Sequence, residues 1–88
     1  MSERGLNGPL KVLAYLLDHD GSALLTISRE TGLNYRTVRR AVDLLQKLGF
    51  VVEEIEQGPP VRKIIKLTEK GRKAAEHAKA LLELAGMI

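Results

Sequence analysis

Three residues, Gly32-Leu33-Asn34, constrain this chain more than any others, because they end one helical pattern and begin another with almost nothing between. Before them, Leu24, Ile27 and Thr31 fall at three- and four-residue intervals, the spacing of one helix face. After them, Val38, Ala41, Val42 and Leu45 repeat that spacing. Glycine takes the left-handed conformation that a sharp reversal needs, and asparagine is a strong helix cap. The expected unit is a short helix from Ser22 or Ala23 to Thr31, a tight turn, and a longer helix from about Tyr35 to Leu48, ended by Gly49. Ile27 and Val38 are placed to pack between the two helices, which leaves the outer face of the longer one free.

The flanking segments complete a single small domain. A helix is expected to start near Gly8-Pro9, with Asn7 or Gly8 as its cap and residues 1–6 as a flexible tail. Leu10, Val12, Leu13, Leu16 and Leu17 give it a broad apolar face, and His19-Asp20-Gly21 ends it. Beyond Gly49, residues 50–56 are rich in strand formers, with Val51, Glu53 and Ile55 on one face and Val52 opposite. Gln57-Gly58-Pro59-Pro60 is a turn, because successive prolines cannot sit inside a ladder. Val61 to Leu67 returns as a second strand with Val61, Ile65 and Leu67 on one face. Thr68 caps a last helix reaching about Ala85. The fold class is mostly α with one small β-hairpin, in the order helix, helix, helix, hairpin, helix.

Size and composition exclude several functions. Eighty-eight residues make one domain with one modest core. No apolar run approaches the ~18 residues of a bilayer span, and Met1-Ser2-Glu3-Arg4-Gly5 lacks the plan of a signal peptide, so a cytoplasmic protein is expected. The absence of cysteine removes disulfides and thiolate zinc sites. Catalytic chemistry finds little support. The chain has two histidines, and only Ser22 has one nearby, His19, at a helix end with no motif to make a nucleophile and base of the pair. Asp18-His19-Asp20 are three adjacent residues that point in different directions, a poor metal cage, and His77 lies within the last helix. No enzyme activity, cofactor or metal is expected, and no small-molecule ligand can be inferred from these residues.

Charge distribution points instead to a polyanion. Residues 29–40 and 62–73 together hold ten of the 14 lysines and arginines and two of the 11 acids. Segregation on this scale suggests a basic face. Asn34, Tyr35, Arg36, Thr37, Arg39 and Arg40 occupy the start of the third helix. Arginine presents two parallel donors to guanine O6 and N7. Asn34 serves as a cap or reaches adenine, Tyr35 contacts phosphate or a thymine methyl or else packs on its neighbours, Thr37 suits a phosphate contact, and Asp43 repels phosphate where that surface stops. Arg62 and Lys63 on the second strand are placed to reach a DNA backbone or a minor groove, whereas Glu53, Glu54 and Glu56 on the first are a poor surface against phosphates.

The stretch Ile27-Ser28-Arg29-Glu30-Thr31-Gly32-Leu33-Asn34-Tyr35-Arg36-Thr37-Val38-Arg39-Arg40-Ala41 resembles the helix-turn-helix of winged-helix transcription regulators. Leu45-Gln46-Lys47-Leu48-Gly49-Phe50-Val51 is similar to the passage from recognition helix into wing. Leu67-Thr68-Glu69-Lys70-Gly71-Arg72 resembles the leucine-threonine-x-x-glycine helix start of MarR-type and PadR-type regulators. The resemblance covers roughly residues 8–75, with Ser28 where such regulators usually have alanine. It implies a winged helix-turn-helix at residues 7–67 that binds double-stranded DNA.

Residues 68–88 are expected to make a homodimer, the alternative being that their apolar stripe folds back within one monomer. Ala74, Ala75, Ala78, Leu81, Leu82 and Ala85 form a stripe longer than one small core covers, and Val12 and Leu16 add apolar surface from the first helix. Two other readings stay open: a nonspecific chromosomal DNA-binding protein, whose affinity comes from charge alone, and a winged helix that binds protein.

Overall fold

The computed structural model describes residues 4–87, in the order α1 (Arg4–Asp18), α2 (Leu24–Thr31), α3 (Tyr35–Lys47), β1 (Val51–Glu56), β2 (Arg62–Leu67) and α4 (Glu69–Leu84). This is the expected winged helix-turn-helix. Residues 1–3 of the expected tail lie outside the described residues, but residues 4–6 are helical, so α1 starts earlier than Gly8-Pro9. The glycine has a different reason for being there. A Cβ at Gly8 would stand 3.2 Å from Thr37 Cγ2, so this position lets α1 and α3 approach closely. Pro9 falls inside the helix, beyond its first turn, so its missing N–H removes one helical hydrogen bond.

β1 and β2 pair antiparallel, with Val51 opposite Leu67 and Glu56 opposite Arg62. A third segment joins them. Ile65 N–H donates to the Ser22 carbonyl at 2.8 Å and Gly21 N–H to the Ile65 carbonyl at 3.0 Å, so Ser22 extends the sheet rather than starting α2. Asp20 Oδ1 accepts the Leu67 N–H at 2.8 Å, continuing the cover along β2. Neighbouring residues Ile64 and Ile65, on opposite faces, are both buried, Ile65 in the core and Ile64 beside Gly21 of that extra segment. Val61 lies in the turn, 64% exposed, not in the strand.

The core joins all elements through Val12, Leu16, Ile27, Val38, Val42, Leu45, Val51, Ile65 and Ala75, among others. Val12 and Leu16 are wholly enclosed, which corrects the expectation that α1 carries spare apolar surface there. α4 packs along α1, and its apolar stripe proves to be two rows. Gly71, Ala75, Ala78 and Leu82 recur at helical spacing and are buried in the same chain. Ala78 and Leu82 are therefore core residues, not interface residues. Ala74 is half-buried at the edge, Leu81 is 52% exposed, and Ala85 is exposed.

The start of α4 locks the wing in place. Thr68 Oγ1 accepts the Gly71 N–H at 2.9 Å, while its hydroxyl donates to the Gly49 carbonyl at 2.7 Å. A Cβ at Gly71 would collide with the Phe50 carbonyl oxygen and stand 2.6 Å from its carbon. The leucine-threonine-x-x-glycine signature is thus a cap plus a backbone-to-backbone contact.

Candidate nucleic-acid interface

The turn that presents α3 is held by side chains as well as by its glycine. Gly32, at φ 77°, closes α2 by donating its N–H to the Ser28 carbonyl at 3.1 Å. The Ser28 hydroxyl donates to the Leu33 carbonyl at 2.6 Å, and the Thr31 hydroxyl to the Ile27 carbonyl at 2.6 Å. Ser28 is therefore part of the turn's bonding and more than a small filler for alanine. Asn34 is the cap: its Oδ1 accepts the Thr37 N–H at 2.8 Å. With Ile27 and Val38 wholly buried, α2 fixes the inner face of α3 and turns the other face outward.

On that outer face Tyr35, Arg36 and Arg40 are exposed, and among the described residues neither arginine has a carboxylate partner. Thr37 lies toward α1, against Gly8, and with Arg40 lines a cleft of 640 Å³ between the two helices. Arg39 differs from its neighbours. Its Nη2 lies 3.3 Å from Asp43 on the next turn, and its Nη1 lies 3.3 Å from Glu53 on β1.

The wing's two predicted cations separate. Directly opposed residues of an antiparallel pair share a face. Lys63, opposite Ile55, lies on the face of Glu53 and Ile65, whereas Arg62, opposite Glu56, lies on the other. Arg62 is also paired with Glu56 across the hairpin. The basic run 62–73 is largely engaged within the chain. Lys66 meets Glu54 at 3.9 Å, Arg72 meets Asp20 at 3.6 Å, and Lys70 Nζ donates to the Leu48 carbonyl at 3.1 Å above the Phe50 ring. Among the described residues the cations without a carboxylate partner include Arg36 and Arg40 on the outer face of α3, Arg29 on α2, Lys63 on the wing and Lys73 on α4.

Asp18, His19 and Asp20 serve structural contacts. Asp18 pairs with Lys79 at 3.3 Å, His19 stacks on Tyr15 at 4.6 Å, and Asp20 binds β2 and Arg72. No cluster of metal-binding side chains occurs among the described residues, and no helix among them is long and apolar enough to cross a membrane.

No protein-family model matches the sequence, and no curated protein matches it. Solved structures do match. A MarR family transcriptional regulator from Silicibacter pomeroyi superposes with a TM-score of 0.79 over 98% of this chain and 58% of that one, at 25% identity. CouR from Rhodococcus jostii, solved with p-coumaroyl-CoA, gives a TM-score of 0.69 over 94% of this chain and 58% of its own, at 26% identity. A protein from Archaeoglobus fulgidus gives 0.72 at 21% identity, covering 91% of this chain and 89% of that one, a likeness of fold alone. The resemblance to MarR-type regulators read from the sequence thus holds for the fold. The chain spans under three fifths of the length of the two regulators.

Proposed function

We propose that this chain binds double-stranded DNA sequence-specifically, as the DNA-reading part of a transcription regulator, with the first turns of α3 in the major groove. The observation that carries this reading is the pair Arg36 and Arg40, exposed and without carboxylate partners among the described residues on the free face of a rigidly capped helix. Asn34 positions that helix, Tyr35 and Thr37 flank the two arginines, and Lys63 supplies a phosphate contact from the wing. Arg62, held by Glu56, is subordinate. Likeness to transcription regulators rather than enzymes supports a binding role, and a DNA target fits a cytoplasmic protein.

Two copies associate, on this reading, through the end of α4. The surface is smaller than the sequence suggested: Leu81, Leu84 and Met87 are exposed there, with Ala85 among them and Ala74 at the margin. A homodimer spaces two recognition helices at roughly 34 Å, one duplex turn. The expectation of no small-molecule partner carries no weight beside a neighbour solved with p-coumaroyl-CoA.

Selection of bound duplexes from a random pool, followed by a salt titration on the selected sequence, tests the proposal. A palindromic motif supports a dimeric sequence-specific regulator. Equal affinity for selected and random duplexes would assign the chain to nonspecific coating, and no binding at low salt would leave a protein-interaction module.

A further inference from the structure

We infer that Glu53, on the wing, is a positioning residue that holds Arg39 to read a guanine, so that the acidic first strand of the wing takes part in sequence recognition. The inference rests on the DNA-binding reading above and assigns one of its contacts.

Arg36, Arg39 and Arg40 look equivalent in sequence, but among the described residues only Arg39 has carboxylates beside it. Asp43 and Glu53 each lie 3.3 Å from its guanidinium, on different nitrogens, so two carboxylates face one cation and the cluster is net negative. Such a cluster is a poor phosphate contact, since any phosphate reaching Arg39 meets two like charges beside it. A base edge carries no such penalty. Guanine offers O6 and N7 as neutral acceptors, and the paired cytosine offers its N4 amino group as a donor. Donors and acceptors on the protein side match that pattern. The guanidinium N–H groups not held by the acids meet guanine, and the exposed Asp43 carboxylate accepts from cytosine.

Glu53 has a different part. It belongs to another element, 14 residues from Arg39 in sequence, and its side chain is more enclosed, 23% exposed against 49% for Asp43. Bonding one nitrogen to a strand that is itself anchored in the sheet restricts the rotation of a long, flexible side chain before DNA arrives. Less freedom is then lost on binding, and the arginine meets guanine in one geometry.

The test compares the full chain with its Glu53→Gln, Arg39→Ala and double variants. The probes are a duplex selected from a random pool, single-pair changes of each G·C within it, and a scrambled duplex. At one G·C position the unaltered chain should discriminate by about 5- to 150-fold. Glu53→Gln should cut that ratio severalfold while binding the scrambled duplex slightly more tightly, one negative charge having gone. In the Arg39→Ala background Glu53→Gln should leave the ratio unchanged, because Glu53 acts through Arg39. Thermal unfolding midpoints confirm that all variants fold. If Glu53→Gln tightens binding to every duplex equally and keeps the ratio, Glu53 merely repels phosphate and the proposal fails, with DNA binding intact. If the unaltered chain binds no duplex, the DNA-binding reading and this proposal fall together.

Discussion

Arg39 on α3 and Glu53 on β1 face each other at 3.3 Å, so the helix expected to read DNA and the wing beside it are joined by a charged contact. Partly exposed ion pairs of this kind contribute ~0–1 kcal/mol to stability. The consequence of the contact is one of orientation: it divides three similar arginines into one that is held and two that have no carboxylate partner among the described residues.

Arg36 and Arg40 should dominate affinity. Alanine at either position should cost about 1–3 kcal/mol on a selected duplex if the side chain reads guanine. If it neutralises a phosphate, the loss should be uniform across sequences, with the salt slope falling by about one. Fluorescence anisotropy at several salt concentrations separates the two outcomes. Unchanged affinity in both variants would remove α3 from the interface.

On the wing, Lys63→Ala should weaken DNA binding more than Arg62→Ala. Lys63 lies on the same hairpin face as Glu53, and Arg62 lies on the other face in a pair with Glu56. Neither change should alter the preferred sequence. The same titrations measure both, and a larger loss from Arg62→Ala would reverse the assignment of the two faces.

α4 should show two separable roles. Leu82→Ala removes a side chain 1% exposed and should lower stability by about 2–5 kcal/mol in urea unfolding. Replacing Leu81 and Leu84, 52% and 86% exposed, with lysine should leave folding intact and convert the proposed dimer to a monomer in analytical ultracentrifugation. A dimer that persists in that variant would place the interface elsewhere.

Gly71→Ala should be among the most damaging single changes, because the added methyl group occupies the space of the Phe50 carbonyl. Main chain on both sides has little room to yield, so a fall in the unfolding midpoint of several degrees or outright misfolding is expected. Gly8→Ala meets only the end of a threonine side chain at 3.2 Å and should cost much less. Calorimetry on both variants checks the order.

What the sequence determined by itself rests on contacts between near neighbours. The Asn34 and Thr68 caps each join a side chain to an N–H three residues on, and the turn at Gly32 is set within a few residues. The helical spacings of α2 and α3 predicted which residues face inward, because a helix has one period whatever surrounds it. Tertiary structure decided the matters that depend on which surface meets which. Ser22 became a sheet partner because Ile65, 43 positions away, brought an unpaired N–H beside it. Val12 and Leu16 were wholly enclosed, and one apolar stripe on α4 was divided into a buried and an open row. Arg39 acquired Glu53 from another element, while Arg36 and Arg40 acquired no carboxylate partner among the described residues. Periodicity gives the direction in which a side chain points; only the packed chain supplies what it meets there.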